Sequence, residues 1–351
     1  MKIAIDCRMI NCSGIGIYLK NILTYLIEDI SIEYILIGKR CQLIEFSSHS
    51  NCKIVDINIP IFTVKELFQF PTAVVNSCDC FYTPNYNVPL GIRVPIISTI
   101  HDVLFLDIPN LTSRLGYVIR YLYLKQAIKR SKRIITVSQF SKHRIDHYFA
   151  NQNRIVVAYN GIAQHVESYK LKKTPVFDFD YLLYVGNIKP HKGLKTLLRA
   201  YESVRQCGDN RKLLIVGEKN NFKTSDLSLK IKAEFVDDII FTGRIEDEDL
   251  LNVMYHASLL VQPSIYEGFG IPPLEAMYLG TPVIISDIPV FKEIYSDYPV
   301  VFFKSEDCED LATKILKTST QRIYLQGSLK YKYSYKVSAN IIIETIKNDI
   351  L

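Results

Sequence analysis

The stretch VQPSIYEGFGIPPLEAMYLGTPVIISDIP, from Val261 to Pro289, contains the most informative pattern in this chain. It begins at the end of an apolar run that is typical of a buried strand, and a second such run follows from Thr281 to Ser286. Between the two runs, a glycine-rich turn leads into Pro272-Pro273. Proline is preferred at the first helical position, because an amide there has no partner inside the helix. The stretch therefore predicts a strand, a turn, a helix from Pro272 to about Leu279, and another strand.

The predicted helix also indicates a ligand site at its N-terminal end. A helix that opens after Gly268-Phe269-Gly270 points unpaired backbone N–H groups, and the positive end of its dipole, at whatever lies in front of it, so phosphates bind there. Two carboxylates eight positions apart, Glu267 and Glu275, flank this end. A carboxylate repels phosphate but accepts hydrogen bonds from hydroxyl groups. The pattern therefore favours a ligand that carries both groups, such as a nucleotide sugar.

On these residues the sequence resembles the retaining glycosyltransferases of family 4, the glycosyl transferases group 1. Their signature places two glutamates eight positions apart in the form E-G-F-G-I-P-P-L-E, and Glu267 to Glu275 match it position for position. The resemblance implies the GT-B fold, in which two Rossmann-like α/β domains with parallel sheets face each other across a cleft and a C-terminal helix crosses back to the first domain. A surface helix with two solvated glutamates would explain neither the glycines nor the spacing.

Length and composition agree with two domains. The chain has 351 residues, 48% of them apolar, which is more than one ordinary domain needs and enough for two cores. Strand and helix signals alternate along both halves, a pattern that favours parallel sheets covered by helices on both faces. The first helix is expected from Ile17 to about Asp29, and the last from about Ile341 to Leu351. The predicted organisation is an N-terminal acceptor-binding domain over 1–167, a linker over 168–180, a nucleotide-sugar-binding domain over 181–335 and the returning helix over 336–351.

The resemblance assigns roles to residues of the predicted C-terminal domain. It implies that Glu267 binds hydroxyls of the donor sugar, that Glu275 binds the ribose, and that Lys192 contacts the donor diphosphate. Lys189 is the expected second cation, since His191 stands where the family often has a second arginine. Backbone contacts are implied to the diphosphate from Gly268, Phe269 and Gly270, and to the nucleobase from Gly243, Arg244 and Ile245.

Two features of the predicted N-terminal domain complete the expected site. Gly14 and Gly16 form a partial dinucleotide fingerprint, but position 19 is leucine, where the fingerprint needs glycine or alanine, so NAD binding is disfavoured. In the resembled family this loop approaches the donor diphosphate.

His101 follows a predicted strand. A lone histidine is more often structural, yet the resembled family places at this position a histidine that binds the donor sugar. The expected catalytic residues are thus Glu267, His101 and Lys192.

No metal ion is expected, and no cofactor beyond the nucleoside-diphosphate sugar that serves as the donor. The eight cysteines show no metal-ligand spacing. The D-x-D sequences at 178–180 and 247–249 lie in the predicted linker and at a helix start, and neither closes a strand beside a phosphate loop. Lys192 and backbone amides are expected to supply the positive charge instead.

Basic residues are concentrated between Asp107 and Asp146, where nine Lys or Arg and no acid occur. They are interleaved with aromatic and aliphatic residues, as in amphipathic helices that bind anionic bilayers. The basic residues of 114–133 are therefore a candidate for peripheral contact with an anionic membrane. An ordinary helix packed on a sheet, with solvated charges, is an equal alternative, and nucleic-acid binding is disfavoured because no recognition module is visible. No signal peptide and no apolar run approaching 18 residues is found in the sequence, so we expect a cytoplasmic protein, with the inner face of the cell membrane as its other candidate location.

The resemblance implies a metal-independent, retaining hexosyltransferase of bacterial O-antigen, lipopolysaccharide or capsule synthesis. Mannose or rhamnose is favoured as the transferred sugar over glucose, N-acetylglucosamine and galactose, and the acceptor is a saccharide or a lipid-linked saccharide. Domain closure is expected to exclude water from the donor. Two alternatives stay open: a UDP-sugar 2-epimerase on the same fold, and a noncatalytic partner subunit of a glycosyltransferase complex.

Overall fold

The computed structural model describes residues 1–109, 111–150, 154–170, 174–217, 237–325, 327, 329 and 332–350. The chain forms two compact units, the first made of Met1–Asn160 with Ser334–Leu351 and the second of Gly161–Tyr333. The described part of the segment predicted as a linker, 168–180, thus lies inside the second unit. A backbone hydrogen bond of 3.1 Å from Ile162 N to Tyr333 O ties the start of this unit to its end.

The first unit is built on a seven-stranded sheet in the order β3-β2-β1-β4-β5-β6-β7. All of its strand pairs are parallel. The strands are β1 Lys2–Asp6, β2 Glu33–Gly38, β3 Cys52–Asp56, β4 Cys80–Thr83, β5 Ile96–Thr99, β6 Arg133–Thr136 and β7 Ile155–Val157. Because the order reverses between β1 and β4, the carboxyl ends of the neighbouring strands form a natural ligand edge.

In the described part of the first unit, six α-helices precede the second unit in the chain. They are α1 Ser13–Leu26, α2 Val64–Gln69, α3 Thr72–Val75, α4 Leu104–Asp107, α5 Arg114–Arg130 and α6 Gln139–Phe149. The prediction that the first helix begins at Ile17 was wrong. Gly16 N already donates to Cys12 O at 2.8 Å, so the first turn has formed before Ile17 and both predicted loop glycines lie in it.

The second unit is built on a six-stranded sheet of parallel pairs in the order β10-β9-β8-β11-β12-β13. Its strands are β8 Tyr181–Val185, β9 Lys212–Val216, β10 Ile239–Gly243, β11 Leu259–Gln262, β12 Val283–Ser286 and β13 Val301–Phe303. Its helices are α7 Gln164–Glu167, α8 Leu194–Gln206, α9 Asp247–His256, α10 Ile271–Tyr278, α11 Pro289–Tyr295 and α12 Cys308–Lys317. The strand order reverses between β8 and β11, which places the ligand edge at the loops that follow these two strands.

The predicted helix after the glycine-rich turn is α10, and it begins one residue earlier than expected. Ile271 is its first residue, so Pro272 occupies the second helical position, where a missing amide hydrogen is equally harmless. The helix ends at Tyr278 rather than Leu279. Strand β13, in contrast, had no sequence prediction, since three residues are too few for a periodic signal.

Helix α8 shows why the loop before it is firmly placed. Its apolar residues recur at helical spacing and face the sheet, where each buried leucine stabilises the fold by about 1.5 to 3 kcal/mol. The buried residues are Leu194, Leu197, Leu198, Tyr201 and Val204. They pack into one core with strands β8 and β9 and helix α12, so the start of α8 is fixed against the sheet.

The last helix, α13 Tyr335–Ile350, belongs to the first unit and contacts α1. It begins six residues before the start expected at Ile341. Lys347 Nζ lies 3.0 Å from Asp29 Oδ2 near the end of α1, and Arg133 Nε lies 2.8 Å from Asp349 Oδ2. The chain therefore leaves the first unit once and returns to it. In the part of the chain that the structure describes, no helix combines the length and apolar content needed to cross a bilayer.

Candidate active site

A lysine and a glutamate that were predicted to act together meet at the ligand edge of the second unit. Lys192 lies in the loop after β8 and Glu267 in the turn after β11, and Lys192 Nζ is 2.6 Å from Glu267 Oε1. Their side chains are 21% and 11% exposed. Removing one partner of such a largely buried pair leaves the other charge uncompensated. The structure thus joins the predicted phosphate-binding lysine to the predicted sugar-binding carboxylate.

Gly193 holds these two loops against each other. It has a φ of +67°, and a Cβ atom added to it would lie 1.8 Å from the carbonyl oxygen of Pro263. Ile265 N also donates to His191 O at 2.9 Å. Only glycine tolerates both the conformation and the close approach. Gly193 is therefore a residue on which the site depends, and sequence reasoning missed it although it directly follows Lys192.

The carboxylate of Glu267 is held from one side. Ser264 Oγ donates to Glu267 Oε1 at 2.8 Å, and Gln262 Nε2 donates to Ser264 Oγ at 3.1 Å. Both of these supporting side chains are buried. Among the described residues, the hydrogen bonds to this carboxylate all reach Oε1, so Oε2 is available to a ligand hydroxyl.

His191 does not supply the second cation of the site. It is 6% exposed, and its Nδ1 atom has no hydrogen-bond partner among the described residues. Burial and, after it, the neighbouring charge of Lys192 lower the pKa of His191 to about 4, so the imidazole is neutral near pH 7. Lys189 is exposed and stays the predicted second cation.

The glycine-rich turn packs against helix α11. Gly270 has a φ of +92°, and an added Cβ would lie 2.4 Å from Phe291 Cε1. The hydroxyl of Tyr295 donates to the carbonyl oxygen of Gly270. Phe269 is buried, with its ring centroid 5.6 Å from that of Tyr333. The protein's own packing thus requires Gly270, and the diphosphate contact assigned to this turn stays a prediction.

Glu275 is buried in α10 with only 7% exposure. Burial, reinforced by the charge of Asp247 at the start of α9, raises the pKa of Glu275 to about 8. The carboxyl group is therefore mostly protonated near pH 7 and can donate one hydrogen bond as well as accept others. The resemblance predicted only that Glu275 accepts hydrogen bonds from the ribose, and the structure adds this donor capacity.

Gly243, Arg244 and Ile245, which are predicted to contact the nucleobase, lie at the end of strand β10 and in the segment before helix α9. Gly243 ends β10 with a φ of +71°, and no atom lies within 4 Å of an added Cβ. Arg244 is exposed and Ile245 half-buried. The first turn of α9 carries Asp247, Glu248 and Asp249, as expected for negative charge at a helix N-terminus. Since the charge of Asp247 affects the pKa of Glu275, the start of α9 lies near α10.

Replacing Glu275 with glutamine is expected to stabilise the protein at pH 8 and to change its stability little at pH 5. The folded protein keeps the Glu275 proton up to about pH 8, whereas the unfolded chain loses it near its ordinary value of 4.5. The unfolded state therefore binds fewer protons between these values, and stability falls as the pH rises through them. Removing this titration is expected to raise the free energy of unfolding at pH 8 by about 1 to 3 kcal/mol.

Urea unfolding of Glu275→Gln and the parent protein at both pH values measures this difference. Glu344→Gln, on the exposed side of α13, is the matched control for the loss of one carboxylate. A stability difference of the same size at pH 5 and pH 8 would show that Glu275 is not the titrating group.

In the first unit, His101 follows β5 and is held as a neutral hydrogen-bond acceptor. Its Nε2 atom donates to the carbonyl oxygen of Pro84 at 2.9 Å, and because a carbonyl only accepts, Nε2 carries the proton. Burial lowers the pKa of His101 to about 4, so the ring is neutral and Nδ1 keeps its lone pair. The next residue, Asp102, accepts a hydrogen bond from Leu104 N at 3.0 Å at the start of α4. His101 is thus suited to accept a hydrogen bond from a sugar hydroxyl.

Helix α1 packs beside this histidine. The ring of Tyr18 stands perpendicular to the imidazole, with centroids 4.7 Å apart, and its hydroxyl lies 3.0 Å from that of Tyr82. Sequence reasoning missed Tyr18, although it lies one helical turn after Gly14. An added Cβ on Gly14 would meet nothing within 4 Å, whereas one on Gly16 would lie 2.4 Å from Ile10 O. Gly16 is therefore required by packing on the preceding turn, and Gly14 is the glycine with space in front of it.

No cluster of three or more His, Cys, Asp or Glu with metal-ligand geometry occurs among the described residues. Asp178 and Asp180 precede β8, and Asp247 and Asp249 lie in the first turn of α9. The two D-x-D sequences are thus placed at a strand start and a helix start, as the sequence analysis expected for the second of them.

Comparison with protein families gives two matches that follow one another along the chain. Residues 67–164 match the model of Glycosyltransferase Family 4, and residues 167–333 match that of Glycosyl transferases group 1. The second match contains Lys192, Glu267 and Glu275, and the first contains His101.

Two curated relatives point to the same family. The O-antigen chain mannosyltransferase RfbU of Salmonella typhimurium is 33% identical over 216 residues, and O-antigen chain mannosyltransferase B of Escherichia coli is 27% identical over 249 residues. These alignments cover 61% and 68% of this chain. The chain spans 58% and 64% of the length of these two relatives.

Solved structures share the fold over nearly the whole chain. Anabaena Alr3699/HepE, in complex with UDP and glucose, superposes with a TM-score of 0.77 at 18% identity and covers 99% of this chain and 100% of its own. A glycosyltransferase from Rickettsia africae superposes with a TM-score of 0.74 at 17% identity over 99% and 98% of the two chains. The predicted GT-B architecture of two parallel-sheet domains is confirmed. In sequence, residues 67–164 and 167–333 together make up most of this chain, and they are similar to glycosyltransferase family 4 and to the glycosyl transferases group 1.

Proposed function

We propose that this protein is a retaining glycosyltransferase that moves a sugar, mannose before others, from a nucleoside diphosphate to a saccharide or lipid-linked acceptor. The observation that carries the proposal is the contact of 2.6 Å between Lys192 and Glu267 at the ligand edge of the second unit. It combines a cation for phosphate with a carboxylate for hydroxyls. The printed names of the O-antigen mannosyltransferases support mannose and surface polysaccharide, and the UDP and glucose complex of Alr3699/HepE supports a nucleotide-sugar donor.

Lys192 is proposed to stabilise the leaving diphosphate. When the bond between the anomeric carbon and the phosphate oxygen breaks, the electron pair stays on that oxygen and negative charge grows on the diphosphate. A fixed cation and backbone N–H donors that meet this charge lower the barrier. Lys192 and the amides of 268–270 fill these roles, and in this scheme they supply the positive charge that a metal ion supplies in other transferases. Lys192 then exchanges its contact with Glu267 for one with phosphate.

Glu267 is proposed to bind the donor sugar and not to attack it. Its Oε1 atom already accepts hydrogen bonds from Lys192 and Ser264, while Oε2 remains for a sugar hydroxyl. The acceptor hydroxyl forms its new bond on the face that the diphosphate leaves, and its proton passes to the departing phosphate oxygen. The configuration of the anomeric carbon is thereby retained without a covalent enzyme intermediate.

His101→Ala is expected to lower kcat/KM by on the order of 10- to 100-fold, because the hydrogen bond that Nδ1 accepts from the donor sugar is lost. His101→Asn, whose side-chain oxygen can take the place of Nδ1, should retain more activity. Because the pKa of His101 is about 4, its protonation should not reduce wild-type activity between pH 8 and pH 5. Initial rates over this range provide the measurement. A decrease in wild-type activity near pH 6.5 that His101→Asn abolishes would contradict the neutral-acceptor role.

The donor is tested by thermal unfolding with GDP-mannose, UDP-glucose, dTDP-rhamnose, ADP-glucose and UDP-N-acetylglucosamine. A ligand at 100 times its Kd stabilises the folded protein by about 2.7 kcal/mol, which is readily detected. We expect GDP-mannose to raise Tm most, and a saccharide acceptor to be extended only when donor is present. The proposal fails if none of these nucleotide sugars raises Tm. Conversion of UDP-N-acetylglucosamine without an acceptor would instead establish the epimerase.

A further inference from the structure

Helix α5 of the first unit exposes apolar side chains on the side that faces away from its core. Its inner side buries Leu124, Ala127 and Ile128, which is enough to hold the helix on the sheet. The outer side carries a second apolar stripe at positions i, i+3, i+4 and i+7. Its members are Leu115, Val118, Ile119 and Leu122, which are 70%, 49%, 38% and 57% exposed. Packing within the unit does not account for this second stripe.

Basic side chains flank the exposed stripe. At 3.6 residues per turn, Arg114, Lys125 and Lys129 fall on the same side of α5 as Val118, and all three are exposed. No acidic residue occurs between Asp107 and Asp146, and Asp107 already accepts two hydrogen bonds of 3.0 Å from Arg144 Nε. The basic apolar face is defined here as Leu115, Val118, Ile119 and Leu122 together with Arg114, Lys125 and Lys129.

Helix α2 extends this surface. Its first turn lies beside the middle of α5, because Tyr123 donates a hydrogen bond of 3.3 Å to Thr63 O and its ring centroid lies 5.5 Å from that of Phe62. The short helix exposes Val64 and Phe68 by 72% and 73%, with exposed Lys65 between them. Scattered exposed apolar residues are ordinary on protein surfaces, but large ones grouped on two adjacent helices mark an interaction site.

We propose that the basic apolar face docks this protein on the surface of an anionic phospholipid bilayer. Apolar side chains of such a face enter the boundary between head groups and acyl chains, while Lys and Arg contact the negative head groups. A second copy of the chain is a poorer partner, since two such faces would bring basic residues together without acids to pair them. A nucleic-acid backbone would leave the outermost leucine and isoleucine side chains without an apolar partner.

Sedimentation with large vesicles tests the proposal, and it requires neither donor nor acceptor, so its outcome is independent of the proposed activity. The protein is expected to bind phosphatidylcholine vesicles that contain about 30% phosphatidylglycerol, and to bind pure phosphatidylcholine at least tenfold more weakly. Binding should weaken as salt is added, because the charges are solvent-exposed.

Two variants of the face separate its charge from its apolar part. Lys125→Glu/Lys129→Glu is expected to lower the partition coefficient on anionic vesicles by on the order of 25-fold or more, since each basic residue near such a surface contributes about fivefold. Leu122→Asp should lower it by roughly tenfold, because one inserted leucine is replaced by a charge. All three positions are exposed, so the fold should survive, and circular dichroism verifies this for each variant.

The matched control is Leu316→Asp/Lys317→Glu on α12, where an exposed leucine stands next to an exposed lysine in the other unit. It should bind vesicles like the wild type. The proposal is overturned if the wild type ignores anionic vesicles at low salt, or if the control loses binding as strongly as the variants of the face. It is also overturned if light scattering shows a dimer that Leu122→Asp dissociates while vesicle binding is absent.

Discussion

Lys192→Ala is expected to lower kcat for sugar transfer by on the order of 100- to 1000-fold, the cost of losing one preorganised group that meets developing charge. Lys192 is held 2.6 Å from Glu267 before any donor arrives, so it needs little reorganisation to reach the diphosphate. KM for the donor should rise much less than kcat falls, because the diphosphate carries more negative charge in the transition state than in the bound donor. Steady-state kinetics with a saturating acceptor separate the two effects.

Lys195→Ala is the control for this substitution. Lys195 lies three residues further on, exposed on the first turn of α8, so its loss removes the same charge from the same region. It should change kcat less than about threefold, as expected for a surface charge that is screened by solvent. Equal decreases of kcat in the two variants would mean that Lys192 acts only as one positive charge in the overall electrostatic field and makes no specific contact with the diphosphate.

The pair can also be examined as a unit. Glu267→Gln removes the charge that compensates Lys192 but keeps the shape and hydrogen-bonding capacity of the side chain. Because both residues are proposed to act on the same donor, the double variant Lys192→Ala/Glu267→Gln should be less impaired than the product of the single effects predicts. Fully multiplicative losses would indicate that the two residues act at independent sites.

Gly193→Ala is expected to destabilise the protein by about 3 to 5 kcal/mol and to abolish most activity. The new Cβ would lie 1.8 Å from the carbonyl oxygen of Pro263, and the φ of +67° is costly for any residue with a side chain. The clash is between the new Cβ and backbone atoms of the other loop, so no side-chain rotation can remove it. The two loops must move apart, and this movement separates Lys192 from Glu267. Urea unfolding measures the stability, and donor binding at a temperature where the variant remains folded measures the displacement.

Gly208→Ala separates the strain from the clash. Gly208 follows α8 and also has a positive φ, +88°, yet nothing lies within 4 Å of an added Cβ. This control should therefore lose only about 1 to 2 kcal/mol from backbone strain and should retain activity. If Gly193→Ala costs no more than Gly208→Ala, the close approach to Pro263 does not constrain the site.

The part of the site that lies at strand ends was predictable from the sequence. Parallel sheets bring the carboxyl ends of neighbouring strands to one edge, so a lysine after β8 and a glutamate after β11 had to be close once both strands were recognised. In the structure Lys192 Nζ lies 2.6 Å from Glu267 Oε1, and the roles given to the two residues stay predictions. The division into two parallel-sheet units likewise followed from the alternation of strands and helices.

Other features depend on packing between segments that are distant in the sequence. Gly193 is needed because of Pro263, and the protonation of Glu275 depends on its burial and on Asp247. Neither partner can be found from local periodicity. The position of Tyr18 against His101 is similar, since it depends on how α1 lies on the sheet.

The basic segment shows a different limit of sequence reasoning. Apolar residues surround most of α5, so the sequence could not tell which of them face the core. The structure buries Leu124, Ala127 and Ile128 in the core, as an ordinary packed helix requires, and leaves the other stripe exposed, on which the membrane proposal rests. For α1, the start was wrong because the segment before Ile17 was predicted as a loop, although the turn after Cys12 is already helical.

The return of α13 to the first unit affects how the protein is made. Tyr335, whose ring centroid lies 6.3 Å from that of Tyr18, and the buried Ala339 and Ile342 emerge from the ribosome only after residues 161–333 have been synthesised. At ordinary elongation rates this delay is roughly 10 to 30 seconds. During that time the apolar surface of α1 that α13 later covers stays exposed to solvent. Co-expression of a chaperone that shields this surface, or expression at low temperature, should therefore increase the yield of correctly folded protein.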